Sequence, residues 1–354
     1  MKSPFTSLLL TWNKHQNTRK MPWKGEKDPY LIWLSEIILQ QTRVEQGMPY
    51  FQRFKQKYPT VKHLALAKED DVMKLWQGLG YYSRARNLHE TAKNIYHNMG
   101  GKFPDTYDEL VKLKGVGAYT ASAIASFAFN EPKAVVDGNV IRVLSRVLGI
   151  ATAFDTTSGK KQFAEKAQQL IDNQQPAAYN QAIMDFGAVV CVPQNPTCET
   201  CPMNKICVAY LQNKVDELPR REKRTKILPR YFNYLIIKNK TELLIEKRSG
   251  NDIWKNLYQL PLIETAKPLN NNFHKTIAKH LGFNDFSIDS YSPEISQMLS
   301  HRKIHFRFIA LNVADINLLM TEGFQNVKLS KLNQYAFPKT INEYLINSGL
   351  LKEQ

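Results

Sequence analysis

The chain's four cysteines form the series Cys191-x6-Cys198-x2-Cys201-x5-Cys207, and none occurs elsewhere in its 354 residues. A disulfide framework spreads its cysteines along the chain, whereas four thiols in one short stretch converge on a single metal site. Pro193, Pro196 and Pro202 keep the stretch irregular, so that four sulfurs can face one point. Four-cysteine zinc sites commonly use two close pairs. Here only Cys198 and Cys201 are close, which points to one cubane [4Fe–4S] cluster. No glycine fingerprint for a flavin or nicotinamide accompanies it, so the expected role is a structural knot ordering a loop with Lys205.

Three further features could do chemistry. Glu36 lies between Trp33-Leu34 and Ile37-Ile38-Leu39, and its helical neighbours Ile32, Trp33, Leu39 and Gln40 include no cation. A buried carboxyl without a cation has a raised pKa and holds a proton for general-acid catalysis. The alternative is one wet stripe on an otherwise apolar helix. Leu113-Lys114-Gly115-Val116-Gly117-Ala118-Tyr119-Thr120 reads as a tight turn between helices. Its two glycines allow positive φ, and the amides opening the next helix can take a phosphate. Asp137 precedes the periodic run Gly138 to Leu144 as a helix N-cap, and beside a cleft it would also steady a cation.

These groups need elements to hold them. Residues 1–215 read as helical, with apolar side chains three and four apart. Asp28-Pro29 opens a helix running through Gln41. Another spans 69–77 and stops at Gly78-Leu79-Gly80, and the Ala- and Ser-rich stretch 118–128 forms a helix that packs closely. Residues 220–230 are basic and read as a solvated linker. Beyond it, 231–237 and 243–247 flank a Lys238-Asn239-Lys240 turn and predict a hairpin. Residues 304–313 predict a strand with Ile304, Phe306 and Phe308 on one face, and 276–281 a helix ending at Gly282. The expected organisation is a helical domain over 1–215, a basic linker over 216–229 and an α+β domain over 230–354. Within the first, a hairpin part covers about 25–130, and the N-terminal segment joins 131–215 in the cysteine-bearing part.

In this order, the hairpin, the Asp twenty residues after its second glycine and the cysteine series resemble the helix–hairpin–helix DNA glycosylase superfamily, in its iron–sulfur branch. Endonuclease III-like members carry a lysine nucleophile where this chain has Tyr119. That departure favours the MutY-type adenine DNA glycosylases. Further similar stretches are Met21-Pro22-Trp23, Ser35-Glu36, Leu39 to Val44, Gly78 to Arg84 and Val136 to Val140.

The resemblance implies an all-α helix–hairpin–helix catalytic domain with an iron–sulfur loop, followed by an α+β MutT-like (Nudix) domain. It implies a monofunctional base-excision-repair enzyme that flips out and removes adenine paired with 8-oxoguanine or guanine. Glu36 matches the acid that protonates the adenine ring and Asp137 the carboxylate that steadies the sugar cation. Tyr119 and Asn139 match residues orienting them. Arg19, Trp23, Lys24, Leu39 and Gln181 match the surroundings of the extruded base. Lys24 stands where arginine is common, which keeps the charge and loses the fork. Gln41 and Tyr81 match residues pushed into the duplex, within a DNA-contacting set that includes Leu79, Gly115 and Gly117. Ser300 and His301 match a lesion-reading turn in which Leu299 replaces an aromatic residue.

The second domain lacks the G-x5-E-x7-R-E-x2-E-E frame of Nudix hydrolysis, since the acids between 250 and 300 are only Asp252, Glu264, Asp285, Asp289 and Glu294. A recognition domain without hydrolysis is expected. The competing functions are an endonuclease III-like lyase and a non-catalytic lesion binder. A formal net charge of +16 suits a polyanionic partner such as double-stranded DNA. No apolar run of membrane-spanning length and no signal peptide is read. The expected location is cytoplasmic, on the nucleoid, as a monomer.

Overall fold

The computed structural model describes residues 3–21, 24–222, 227–269, 273–282, 284–299, 302–316 and 323–352. They form two compact units: 1–66 with 87–224, and 67–86 with 225–354. Residues 67–86, helical by sequence, therefore pack with the C-terminal part of the chain.

The helices preceding the first strand are α1 (Pro4–His15), α2 (Pro29–Leu39), α3 (Val44–Lys57), α4 (Val61–Ala65), α5 (Glu69–Trp76), α6 (Ser83–Asn98), α7 (Tyr107–Leu110), α8 (Ala118–Phe129), α9 (Gly138–Leu148), α10 (Thr157–Leu170), α11 (Pro176–Val189) and α12 (Val208–Leu211). Asp28 caps α2 by accepting the Tyr30 amide at 2.9 Å, with Pro29 at the first helical position. A cap of this kind contributes about 1 kcal/mol. Every residue from Tyr30 to Ile38 is buried, because α2 runs through the middle of its unit. It packs on α8, whose small side chains between Thr120 and Ser126 are buried and let the two helices approach closely. At the other end of the unit, α1 lies on α11, with Trp12 edge-on to Phe186 at 5.0 Å.

The turn before α8 is held by Gly115 at φ +76, where a Cβ would stand 2.7 Å from the Asn87 Cβ. Gly117 departs from the expectation of positive φ. It is the extended N-cap of α8, at φ −87, and a Cβ there would meet nothing within 4 Å. One left-handed residue is enough to reverse the chain, and Gly117 leaves the first amides of α8 uncovered.

In the second unit, β1 (Leu228–Ile237), β2 (Glu242–Lys247), β3 (Tyr258–Gln259), β4 (Leu262–Thr265), β5 (Phe286–Tyr291), β6 (Ile295–Leu299), β7 (Arg302–Val313) and β8 (Phe324–Lys328) make two sheets. The first has the order β4-β1-β7-β5, with β6 also on β7, and the second β3-β2-β8. The expected hairpin of β1 and β2 does not form. Antiparallel β4 and parallel β7 occupy both edges of β1, so β2 joins the other sheet, and a single bridge between Lys238 and Leu243 remains. The turn is instead an Asn turn, in which Asn239 Oδ1 accepts the amides of Thr241 and Glu242. As expected, Ile304, Phe306 and Phe308 share one face of β7 and are fully buried, in a core with Phe232, Tyr234 and Phe337. The predicted helix at 276–281 extends over Phe273–Leu281 as α13, and α14 (Lys339–Asn347) lays Tyr344 on Phe308 at 3.7 Å.

Segment 67–86 is tied to this unit by Lys247 on Asp70 at 2.6 Å, Arg86 on the Lys255 carbonyl at 2.8 Å and Gln77 on Asn342 at 2.6 Å.

Candidate active site

A cavity of about 730 Å³ opens in the first unit, lined among others by Arg19, Lys24, Glu36, Leu39, Gln41, Tyr119, Asp137, Asn139 and Gln181. The structure thus gathers all the expected catalytic residues and the described residues of the expected base pocket around one space. Trp23 lies outside the described residues, as do Ser300 and His301.

Glu36 projects from α2 into this cavity and is only 8 % exposed. Burial pushes its carboxyl up to about 7; a hydrogen bond from Tyr119 pulls it down, and the nearby Asp137 charge pushes it up further. The sequence argument from a helix without cations therefore holds. Tyr119 stands in the first turn of α8, held well above its ordinary pKa by burial and by the two acids. It stays a neutral phenol and presents a hydroxyl, with no amine for a Schiff base.

Asp137 is the N-cap of α9, as its position suggests. Its Oδ1 accepts the Val140 amide at 2.7 Å, and its Oδ2 accepts Asn139 Nδ2 at 2.9 Å. Burial raises its pKa, while these bonds and Arg142 oppose the rise. The carboxylate is thereby fixed in direction, which a group meant to face a transient cation requires.

Sequence reasoning missed three supporting side chains. Arg142 spans from the N-cap to the cysteine loop, donating to Asn139 Oδ1 at 2.8 Å, the Gly187 carbonyl at 2.6 Å and the Cys191 carbonyl at 2.7 Å. One turn later, buried Arg146 gathers the carbonyls of Val192, Pro193, Val215 and Leu218 and reaches the Cys191 sulfur at 3.5 Å. These arginines sit at a four-residue interval on α9, a signal present in the sequence. The third is Asp185, whose side chain is closed to solvent and ion-paired with Arg19 at 2.8 Å and Lys24 at 3.1 Å.

The expected linker is not loose throughout. Leu218 is buried, the Arg220 carbonyl accepts the Phe154 amide at 3.1 Å, and the Glu222 amide donates to Asp155 at 3.0 Å.

All four cysteines are free of disulfides and line one narrow cavity together with Arg146, Phe186, Met203 and Tyr210. Burial pushes the Cys201 thiol up to about 11, and the three neighbouring sulfurs add to the rise. Among the described residues, no three His, Cys, Asp or Glu side chains are grouped tightly enough to hold a single metal ion.

Two of the expected DNA-contacting residues share an unusual backbone. Gln41 and Tyr81 are non-glycine residues at positive φ, 54° and 47°. Left-handed backbone costs a side-chain-bearing residue about 1 kcal/mol or more, and such strain collects at functional positions. Gln41 follows the last turn of α2, which Gln40 fastens to Thr120 at 3.1 Å. Tyr81 is about half exposed, and Arg84 lies over both its ring and that of Trp76. Leu79 is buried and acts in packing rather than presenting its side chain to a duplex.

Residues 34–173 match the HhH-GPD superfamily of base excision DNA repair proteins, and residues 233–347 match the NUDIX domain. The adenine DNA glycosylase of Buchnera aphidicola subsp. Schizaphis graminum is 35% identical over 96% of this chain and 97% of its own length. The mouse adenine DNA glycosylase is 44% identical over 58% of this chain and 42% of its own. The structure of a thermostable thymine-DNA glycosylase superposes with a TM-score of 0.55 at 31% identity, over 59% of this chain and 95% of that one. Fold and pocket define a helix–hairpin–helix base-excision repair protein with a Nudix-like C-terminal region. Within that class, the chain belongs to the adenine DNA glycosylase family. Among the described residues, no helix is long and apolar enough to cross a membrane.

Proposed function

We infer that this protein is a monofunctional adenine DNA glycosylase of base excision repair. The observation that carries the reading is Glu36, a buried carboxyl pushed up to about 7, in one cavity with Asp137. An adenine anion leaves poorly, so a proton must reach a ring nitrogen before or as the N-glycosidic bond breaks. Glu36 is protonated in part at neutral pH and supplies it. The bonding pair goes to the base, the sugar becomes an oxocarbenium ion, and the fixed Asp137 carboxylate stabilises that charge. Water then adds at the anomeric carbon and leaves an abasic site. Neither atom is accessible within a stacked duplex, so the base is flipped into the cavity. Gln41, exposed and at positive φ, suits a side chain that enters the gap, Tyr81 is proposed separately for the same kind of contact, and the open amides at the start of α8 suit a backbone phosphate.

The opposite base in this reading is 8-oxoguanine, or guanine with a weaker response. Its support is the family membership together with a Nudix-like domain that lacks the hydrolytic glutamate frame. Ser300 and His301 would read that base. Domain limits of 1–215, 216–229 and 230–354 along the sequence, with 67–86 packed in the second compact unit, monomeric action and a place on the nucleoid in the cytoplasm complete the proposal.

Cys191, Cys198, Cys201 and Cys207 would hold one [4Fe–4S] cluster. The donor set fits: four thiols on one cavity, with a guanidinium beside them to offset negative charge. When bound, the cluster serves as a structural knot for the loop that Arg142 and Arg146 connect to α9.

The test is a duplex carrying adenine opposite 8-oxoguanine, incubated with protein and then treated with alkali. Strand scission at the adenine is expected. Scission without alkali, with a borohydride-trapped adduct, would favour a lyase, and no scission at stoichiometric protein would leave a lesion binder.

A further inference from the structure

Asp185 carries no assigned role, yet four donors converge on it. Its Oδ1 accepts Arg19 Nη1 at 2.8 Å and Gln181 Nε2 at 2.9 Å. Its Oδ2 accepts Asn17 Nδ2 at 2.9 Å and Lys24 Nζ at 3.1 Å. The side chain is fully closed to solvent, so among the described residues these partners are what face its charge. Burying an anion is costly before its partners are counted, and one use of such a carboxylate is to hold other groups in place. Three of the four partners are side chains of the stretch that follows α1. That stretch is tied back to α1, since Asn17 also donates to Asn13 Oδ1 at 2.7 Å.

The fourth partner is the informative one. Gln181 stands one turn before Asp185 on α11 and lines the same cavity as Glu36. A side-chain amide can point either way, and its two ends differ: one donates and the other accepts. A carboxylate has no hydrogen to give, so only the NH2 end of Gln181 can face Asp185. Turning the amide over would set its oxygen against an anion in a place water does not reach.

We propose that Asp185 is a positioning residue that locks the Gln181 amide with its carbonyl oxygen toward the cavity, so that the pocket selects a base bearing an exocyclic amino group. An adenine amino group donates to that oxygen. Hypoxanthine, the same purine with a carbonyl in place of the amine, sets oxygen against oxygen. A site built to bond a donor rejects the analogue lacking it by large factors, because its own acceptor is left unpaired. Arg19 and Lys24, held on the same carboxylate, keep their charges beside the anion and off the base.

The inference rests on the adenine reading above, and the experiment separates the two. Single-turnover release of adenine and of hypoxanthine is measured in otherwise identical duplexes, with full-length unmodified protein, Asp185→Asn and Gln181→Leu. The unmodified protein should release adenine much faster than hypoxanthine. Asp185→Asn, whose own amide can face Gln181 either way, should narrow that ratio by about tenfold or more. Gln181→Leu, which removes the acceptor from a partly buried position, should narrow it comparably and leave hypoxanthine release the less affected of the two. A merely structural anchor would slow both bases in parallel, with a lowered melting temperature and an unchanged ratio, and that result overturns the proposal. A narrowed ratio in Gln181→Leu alone, with folded Asp185→Asn unchanged, overturns the orienting role. If Asp185→Asn does not fold, an unchanged ratio in Gln181→Leu is decisive against it. Failure of the unmodified protein to release either base would count against the adenine reading itself.

Discussion

The two units handle the same functional group in opposite ways. In the first, Glu36 is buried on a helix without a cation at its face, and its carboxyl rises to about 7. In the second, Asp252 meets Arg230 at 2.6 Å, Arg248 at 3.0 Å and Arg302 at 3.6 Å. The bonds from Arg230 lead in holding its carboxyl down to about 2. Glu264 shares Arg230 at 2.6 Å, completing a network of fixed charges beside β1. Desolvation alone acts on both groups in the same direction, and the partners decide the outcome. The acid is kept available for transfer where, among the described residues, no cation is ion-paired with it, and made ionic where three are. Asp185 is a third case, fully buried and doubly paired, in which the charge orders other side chains.

This contrast can be broken most sharply at Glu36. Glu36→Gln keeps the shape and removes the transferable proton, so adenine release should fall by roughly a thousandfold in single-turnover assays. Undiminished release would show that the buried acid is not the proton source. Asp137→Asn should cost roughly a hundredfold. Asparagine caps helices as well as aspartate does, so the melting temperature should hold while the rate drops. A parallel loss of both would assign Asp137 to folding alone.

The second unit should respond in stability instead. Asp252→Asn is expected to cost about 1–2 kcal/mol, discounted because the carboxylate is 32 % exposed, and to leave the intrinsic cleavage step unchanged. The folded-state pKa of Asp252 is depressed, so its contribution is complete above the ordinary 3.8 and drains as pH falls toward about 2. Chemical denaturation of the protein and the variant between pH 7 and pH 2 should show curves that converge at the acid end.

Glu36 has the opposite sign. Its folded-state pKa is raised, so the native state binds the proton more tightly than the unfolded chain. The buried acid then weakens the fold as pH rises from 4.5 to about 7, and no further beyond. Catalysis should follow the same proton, with an alkaline limb centred near pH 7. The smallest expected effect is Tyr119→Phe. It removes the bond that lowers the Glu36 pKa, so the limb should move to higher pH, with a rate loss under about tenfold. A limb unmoved in that variant would detach it from Glu36.

Much of this was legible along the chain because it depends on near neighbours. The Asp28-Pro29 start of α2, the Asp137 cap of α9, the lack of a cation around Glu36 and the cysteine spacing are all settled within a helical turn or one loop. Helical periodicity and alternation on β7 likewise separate the helical part from the α+β part. What remained hidden depends on partners distant in sequence. Asp185 reads as one more polar residue on an apolar helix, yet Asn17, Arg19 and Lys24 reach it from more than 160 positions away. The strands β1 and β2 look like a hairpin until β4 and β7 take both edges of β1. Residues 67–86 read as part of the helical domain, and the long-range bonds of Asp70 and Gln77 accompany their packing in the other unit. Local sequence determined which side chains could carry a proton, a charge or a metal. Only the tertiary structure decided which groups each would face, because desolvation and ion pairing act through space.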